Sequence, residues 1–142
     1  MGTTGAYNVA KFQLATKQLD LSSADLRVLL VASGYVFNPD HRVVSDITSE
    51  LSGTGYLRQQ LQTISVVEDD VNNVVTFDAA DMLWAGANFT GGAVDAAIIY
   101  IESSNTDSLR QLVCSVNLNP KITTAGSNYT VSWGANGILR LS

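Results

Sequence analysis

Leu26-Arg27-Val28-Leu29-Leu30-Val31-Ala32 is apolar at every position except Arg27. A β-strand points alternate side chains to opposite faces, so a run of this kind needs apolar cover on both. It predicts a strand in the middle of a packed sheet, ended by Ser33-Gly34. Residues 93–101 read as a second such strand, with Val94, Ala96, Ile98 and Tyr100 on one side and Ala97, Ile99 and Ile101 on the other. Leu112, Cys114, Val116 and Leu118 alternate with polar residues and share one face of a third. Tyr129, Val131 and Trp133 alternate with Thr130 and Ser132, and residues 138–141 close the chain as a short strand after the turn Gly134-Ala135-Asn136-Gly137.

The remaining segments read less uniformly. Val43, Ile47 and Leu51 fall at i, i+4 and i+8, the spacing of a short helix face, and Ser52-Gly53-Thr54-Gly55 supplies glycine to end it. Residues 56–77 read as a β-hairpin with its tip at Glu68-Asp69-Asp70-Val71-Asn72. The apolar parity changes between Leu57/Leu61 and Ile64/Val66, which predicts a bulge or bend. Residues 82–84 read as a short strand and residues 85–92, with three glycines, as a loop. Val9, Phe12 and Leu19 hint at helical spacing, and residues 20–25 read as a turn. Seven or eight strands at these intervals predict an all-β fold, an antiparallel β-sandwich of jelly-roll or Greek-key type with one or two short helices. Residues 1–7, small and polar, read as a flexible N-terminal arm, and residues 8–142 as one β-sandwich domain.

A chain of 142 residues suits one domain and buries roughly 70% of its unfolded surface. Charged residues make up 15%, against about 25% in an average domain. So little charge suggests surface that faces other protein, although Ser, Thr, Asn and Gln also provide polar cover. The net charge of −5 and eight scattered basic residues argue against nucleic acid as a partner. The first residues carry neither a basic stretch nor an apolar one, so no signal peptide is expected. No apolar run approaches the roughly 18 residues of a membrane span. The expectation is synthesis in the cytoplasm, with no membrane partner.

No catalytic or cofactor motif is visible. His41 is the single histidine, with Asp40 and Asp46 nearby but no nucleophile elbow, and reads as a surface turn residue. Cys114 is the single cysteine; it excludes an intramolecular disulfide and reads as a small buried side chain. Glu68-Asp69-Asp70 breaks the alternation of a calcium loop and reads as a solvated tip. Asp78 and Asp81 are candidate paired carboxylates, but an aspartate beside a strand is also a common turn former. Trp84, Trp133, Tyr35, Tyr100 and Phe77 fall on apolar faces and read as core, with a sugar-binding stack as the alternative. The expectation is no metal, no cofactor and no enzymatic activity.

One ordered set of landmarks runs across nearly the whole chain. It comprises Asp25-Leu26-Arg27-Val28-Leu29-Leu30-Val31, Gly34-Tyr35, Ser45-Asp46-Ile47, Glu50-Leu51-Ser52-Gly53-Thr54-Gly55-Tyr56, Val74 to Asp78, Asp81-Met82-Leu83-Trp84 and Asn136-Gly137-Ile138-Leu139. In this order they resemble a group of small proteins encoded in tailed-phage genomes, and the stretch from Glu50 to Tyr56 is the most specific part. The resemblance implies a structural part of the virion, and the head decoration (cement) protein is the form expected here. Its partner would be the major capsid protein. Its home would be the capsid surface, and its assembly a homo-oligomer, with a trimer favoured to match three-fold lattice sites. The N-terminal arm supplies the candidate partner-binding residues, Gly2, Thr3, Thr4, Gly5 and Tyr7. Three alternatives stay open: a tail, neck or head-fibre component; a receptor- or glycan-binding β-sandwich module; and a small hydrolase using Asp78, Asp81 or His41.

Overall fold

Strand β2 (Leu26–Val31) lies inside a five-stranded antiparallel sheet, and both of its faces are covered. A computed structural model describes residues 4–142. The sheet order is β1 (Thr4–Ala6), β9 (Leu112–Ile122), β8 (Val94–Ile101), β2 and β4 (Gln59–Gln60). Two three-stranded antiparallel sheets complete the fold. One is ordered β10 (Ser127–Val131), β7 (Met82–Thr90), β3 (Ser52–Thr54). The other is ordered β11 (Leu139–Leu141), β6 (Val74–Asp78), β5 (Ser65–Asp69). The all-β, sandwich-like expectation holds, with the second layer divided into two small sheets.

Two hydrophobic clusters explain why β2 and β8 are apolar on both sides. Leu26, Val28 and Leu30 pack with Ala97, Ile99, Val116, Trp84, Phe89, Val131 and Trp133 between the layers. Leu29 and Val31 point the other way and join Ile98, Tyr100, Tyr7, Val9, Tyr35 and Val44. The far face of the central sheet is thus covered by the start of the short helix α1 (Asn8–Ala15) and by residues 35–47, instead of by another sheet. Within α1 the buried positions are Val9, Ala10 and Gln13, while Phe12, expected on the inner face, is exposed.

Bulges account for several departures from simple alternation. Ile99 pairs with Cys114 but Tyr100 with Leu112, so Val113 is an extra residue in β9. Beyond it the phase reverses: Leu112 lies in the second cluster, opposite to Cys114 and Val116, with which it was expected to share a face. Val94 likewise lies in the inter-sheet cluster, apart from Ala96, because the register shifts between them. In β7 the pairing steps from Trp84↔Tyr129 to Ala87↔Ser127, and Gly86 sits there at φ +58°. A left-handed glycine lets the strand absorb one extra residue and continue. Residues 85–90, expected in a loop, are therefore the second half of a nine-residue strand that buries Ala87 and Phe89.

The helix expected over Val43, Ile47 and Leu51 is reduced to one 3-10 turn, Val44–Asp46. Neighbouring strands take the backbone groups a helix would need: Val44 N–H donates to Arg110 C=O, Ala32 N–H to Ser49 C=O, and Leu51 N–H to Leu30 C=O. The hairpin expected over residues 56–77 is shorter, β5 with β6 only. Its apparent phase change is a change of sheet, because Gln59 and Gln60 pair with β2 before the chain crosses to β5.

Candidate functional site

The arm residues divide. Met1, Gly2 and Thr3 lie outside the described residues. From Thr4 the chain is not a loose arm: Thr4, Gly5 and Ala6 pair with Val116, Ser115 and Cys114, closing the edge of the central sheet. Gly5 leaves room for Phe37, since a Cβ there would sit 2.7 Å from its ring and make it move. Tyr7 is 0% exposed, its ring 5.1 Å from Phe37 and its hydroxyl 2.7 Å from that of Tyr35. Burial, and next the Tyr35 hydroxyl, push the Tyr7 phenol far above its ordinary range. Tyr7 is core, so any partner contact of this segment falls to the residues before it.

The aspartate candidates hold backbone in place, while His41 meets a side chain. His41 Nδ1 lies 3.1 Å from the Tyr35 hydroxyl. Asp46 accepts the N–H groups of Arg42 and Val43, which hold its carboxyl below the usual range. Asp78 accepts Ala79 N–H at 2.8 Å, and Asp81 accepts Trp133 N–H at 3.1 Å. The two carboxylates thus serve different segments. Asp69 accepts Val71 N–H, Asn72 N–H and the Asn72 amide, shaping the hairpin tip. Cys114 is fully buried, and burial pushes its thiol up to about 12. Both tryptophans, Tyr35, Tyr100 and Phe77 are buried as expected of core.

A cluster of charges lies where the reading of the sequence placed nothing. Arg58 donates to both Glu50 oxygens at 2.7 and 2.8 Å and to both Asp107 oxygens at 2.8 and 3.0 Å. Arg110 donates to Asp107 at 2.8 Å, to Ser104 C=O at 2.7 Å, and to Glu102. Both guanidinium carbons stand over the Tyr100 ring, at 5.6 and 5.9 Å from its centre. The Tyr56 hydroxyl donates to Glu50 at 2.6 Å and accepts Leu30 N–H at 3.2 Å. The hydrogen bond from Arg58 is the largest cause holding the Asp107 carboxyl at about 2, against burial. Two cations and three carboxylates so arranged tie residues 50–58 to residues 102–110 and seal the rim of the second core cluster.

The stretch from Glu50 to Tyr56 owes its character to this architecture. Glu50 and Tyr56 belong to the charge cluster, and Leu51 is core. Gly53 and Gly55 hold φ of +94° and +79°, where Cβ atoms would meet β7 backbone.

Among the exposed large apolar side chains, Val66, Val67 and Leu141 lie on the β5–β6–β11 sheet and Val71 at its hairpin tip, while Phe12, Val36, Leu57, Leu83 and Leu109 are exposed elsewhere. No residue of β5 is buried, and in β6 only Phe77 is. Val66 is 42%, Val67 56% and Val71 89% exposed. Under this sheet runs an apolar groove of about 430 Å³, with Leu14, Leu19 and Leu21 on one wall and Val66, Val75 and Leu141 on the other. The signal was present in the sequence as paired valines, Val66-Val67 and Val74-Val75, on both sides of an acidic tip. Alternation cannot bury both members of such a pair against one core. Among the described residues, no helix is long and apolar enough to cross a membrane.

No protein-family model matches the chain, and no significant match to a curated protein or to a solved structure was found.

Proposed function

We propose that this protein is a structural component of a tailed-phage head, a decoration protein bound to the outer face of the major capsid protein lattice. The observation that carries the reading is the β5–β6–β11 sheet, where Val66 and Val67 stand exposed on β5 beside an apolar groove that another protein could fill. The order of landmarks shared with small phage-encoded proteins supports the setting. The charge cluster also fits, because a cement that bridges coat subunits must itself resist deformation. Such a protein stabilises the shell by binding the mature lattice in preference to its broken state. A trimer is the copy number that would match three-fold positions of the lattice. In this reading the protein has no catalytic role.

The test is co-sedimentation of the purified protein with shells of its source phage assembled without it. Saturable binding at a fixed ratio to coat protein, with shells then surviving greater heat, is the expected result. Absence of binding would overturn the assignment to the head surface.

A further inference from the structure

We infer that the open edge of β5 is where the coat protein docks, by adding one extended segment that carries a basic residue two positions from an apolar one. This rests on the decoration reading above and names the surface that would do the work.

Strand β5 pairs with β6 on one side, and among the described residues no strand pairs with its other edge. An edge of this kind presents a row of backbone N–H and C=O groups to an incoming strand. Residues directly opposite each other in a sheet share a face. Val66 and Glu68 are two apart and so point the same way, and Val66 lines the groove. An added strand therefore places the residue opposite Val66 on the groove face, toward the wall that holds Leu19 and Leu21. The residue opposite Glu68 lies on that same face. Glu68 forms no ion pair among the described residues, and Asp69 and Asp70 follow it; Arg140 acts on Asp69 from the opposite face of the sheet, so this end of the edge is net negative and Glu68 keeps its charge unpaired. Lys17 and Asp20 add one charge of each sign to the opposite wall. A basic side chain is the complement to Glu68, and an acidic one is repelled. The same acidity opposes a second copy of this chain at the edge, since self-pairing would bring two acidic tips to one short ladder.

The experiment uses full-length protein and shells of the source phage assembled without it. Four proteins are compared by co-sedimentation: wild type, Val66→Asp, Glu68→Lys and Leu83→Asp. Leu83 is an exposed residue of another sheet and serves as the control. Glu68 is exposed, so its reversal leaves the fold intact, and thermal unfolding verifies this for all four. The expected result is a loss of shell affinity of about tenfold or more in Val66→Asp and Glu68→Lys, with Leu83→Asp unchanged. Wild-type binding should also weaken as salt is raised. If wild type binds and both edge variants bind equally well, the docking edge is wrong while the decoration reading stands. If wild type binds no shell, both fall. If the edge variants instead break a wild-type dimer and leave shell binding intact, the occupant is a second copy and the inference is overturned.

Discussion

The guanidinium of Arg58 grips the carboxylate of Asp107, 49 residues further on, through two parallel hydrogen bonds of 2.8 and 3.0 Å. The other side of the same guanidinium holds Glu50 in the same manner. Arg58→Ala removes four hydrogen bonds at once, leaves Asp107 only Arg110 and Glu50 only the Tyr56 hydroxyl, and uncovers one face of Tyr100. The expected cost is about 2–3 kcal/mol of stability, read as a lower urea midpoint with unchanged slope. Arg58→Lys keeps the charge but cannot fork to both partners, so it should recover less than half of the loss. Full recovery by lysine would show that charge alone, and not planar bidentate geometry, holds the cluster.

Asp107 also sets an acid limit. Its carboxyl is held at about 2, below the ordinary 3.8, chiefly by the Arg58 hydrogen bond. The folded protein therefore binds fewer protons than the unfolded chain between these values, and stability rises with pH across that window. The contribution is fully present above about pH 4 and is lost as pH falls to about 2. Melting temperatures of wild type and Asp107→Asn should differ clearly at pH 6 and converge toward pH 2. A gap that stays constant down to pH 2 would separate the cluster from acid stability.

Gly55 and Gly86 are both in the left-handed region, at φ +79° and +58°, yet they differ in surroundings. A Cβ at Gly55 would lie 2.8 Å from the carbonyl oxygens of both Ala85 and Gly86, whereas at Gly86 nothing lies within 4 Å. Gly86→Ala should cost only the backbone preference, about 1 kcal/mol. Gly55→Ala adds a clash between backbones that cannot rotate away, and should cost about 3 kcal/mol or more. Equal urea midpoints for the two variants would refute the clash at Gly55.

These glycines also mark how far the sequence could be read. The two-sided strands β2 and β8 were legible because their residues, Val94 apart, obey the local period of two. Leu112 was misplaced because a bulge at Val113 reverses the phase, and one inserted residue leaves no mark on composition. Residues 85–90 were read as a loop because Gly86 has the same letter whether it ends a strand or lets it bulge. The charge cluster was invisible for a different reason. Glu50, Arg58, Glu102, Asp107 and Arg110 converge only after strands far apart in sequence have paired. The exposed hairpin was partly legible, since adjacent valines in a strand cannot share one face, but its open edge depends on sheet order.

The N-terminus yields the last expectation, because one deletion would confuse binding with folding. Removing residues 1–7 takes away the whole of β1 and the buried ring of Tyr7. Losing a buried aromatic and its cover typically costs about 3–5 kcal/mol, so this truncation should be strongly destabilised. Removing residues 1–3 leaves the pairing of Thr4 with Val116 and the Tyr7–Tyr35 contact in place, and should change stability little. Tyr7→Phe removes only the hydroxyl and leaves that of Tyr35 short of one partner, for a loss of about 1 kcal/mol. The expected order of urea midpoints is the three-residue truncation highest, then Tyr7→Phe, then the seven-residue truncation. Only the shorter truncation can then report whether Gly2 and Thr3 touch the shell. A seven-residue truncation as stable as the full chain would mean that β1 adds nothing to the central sheet.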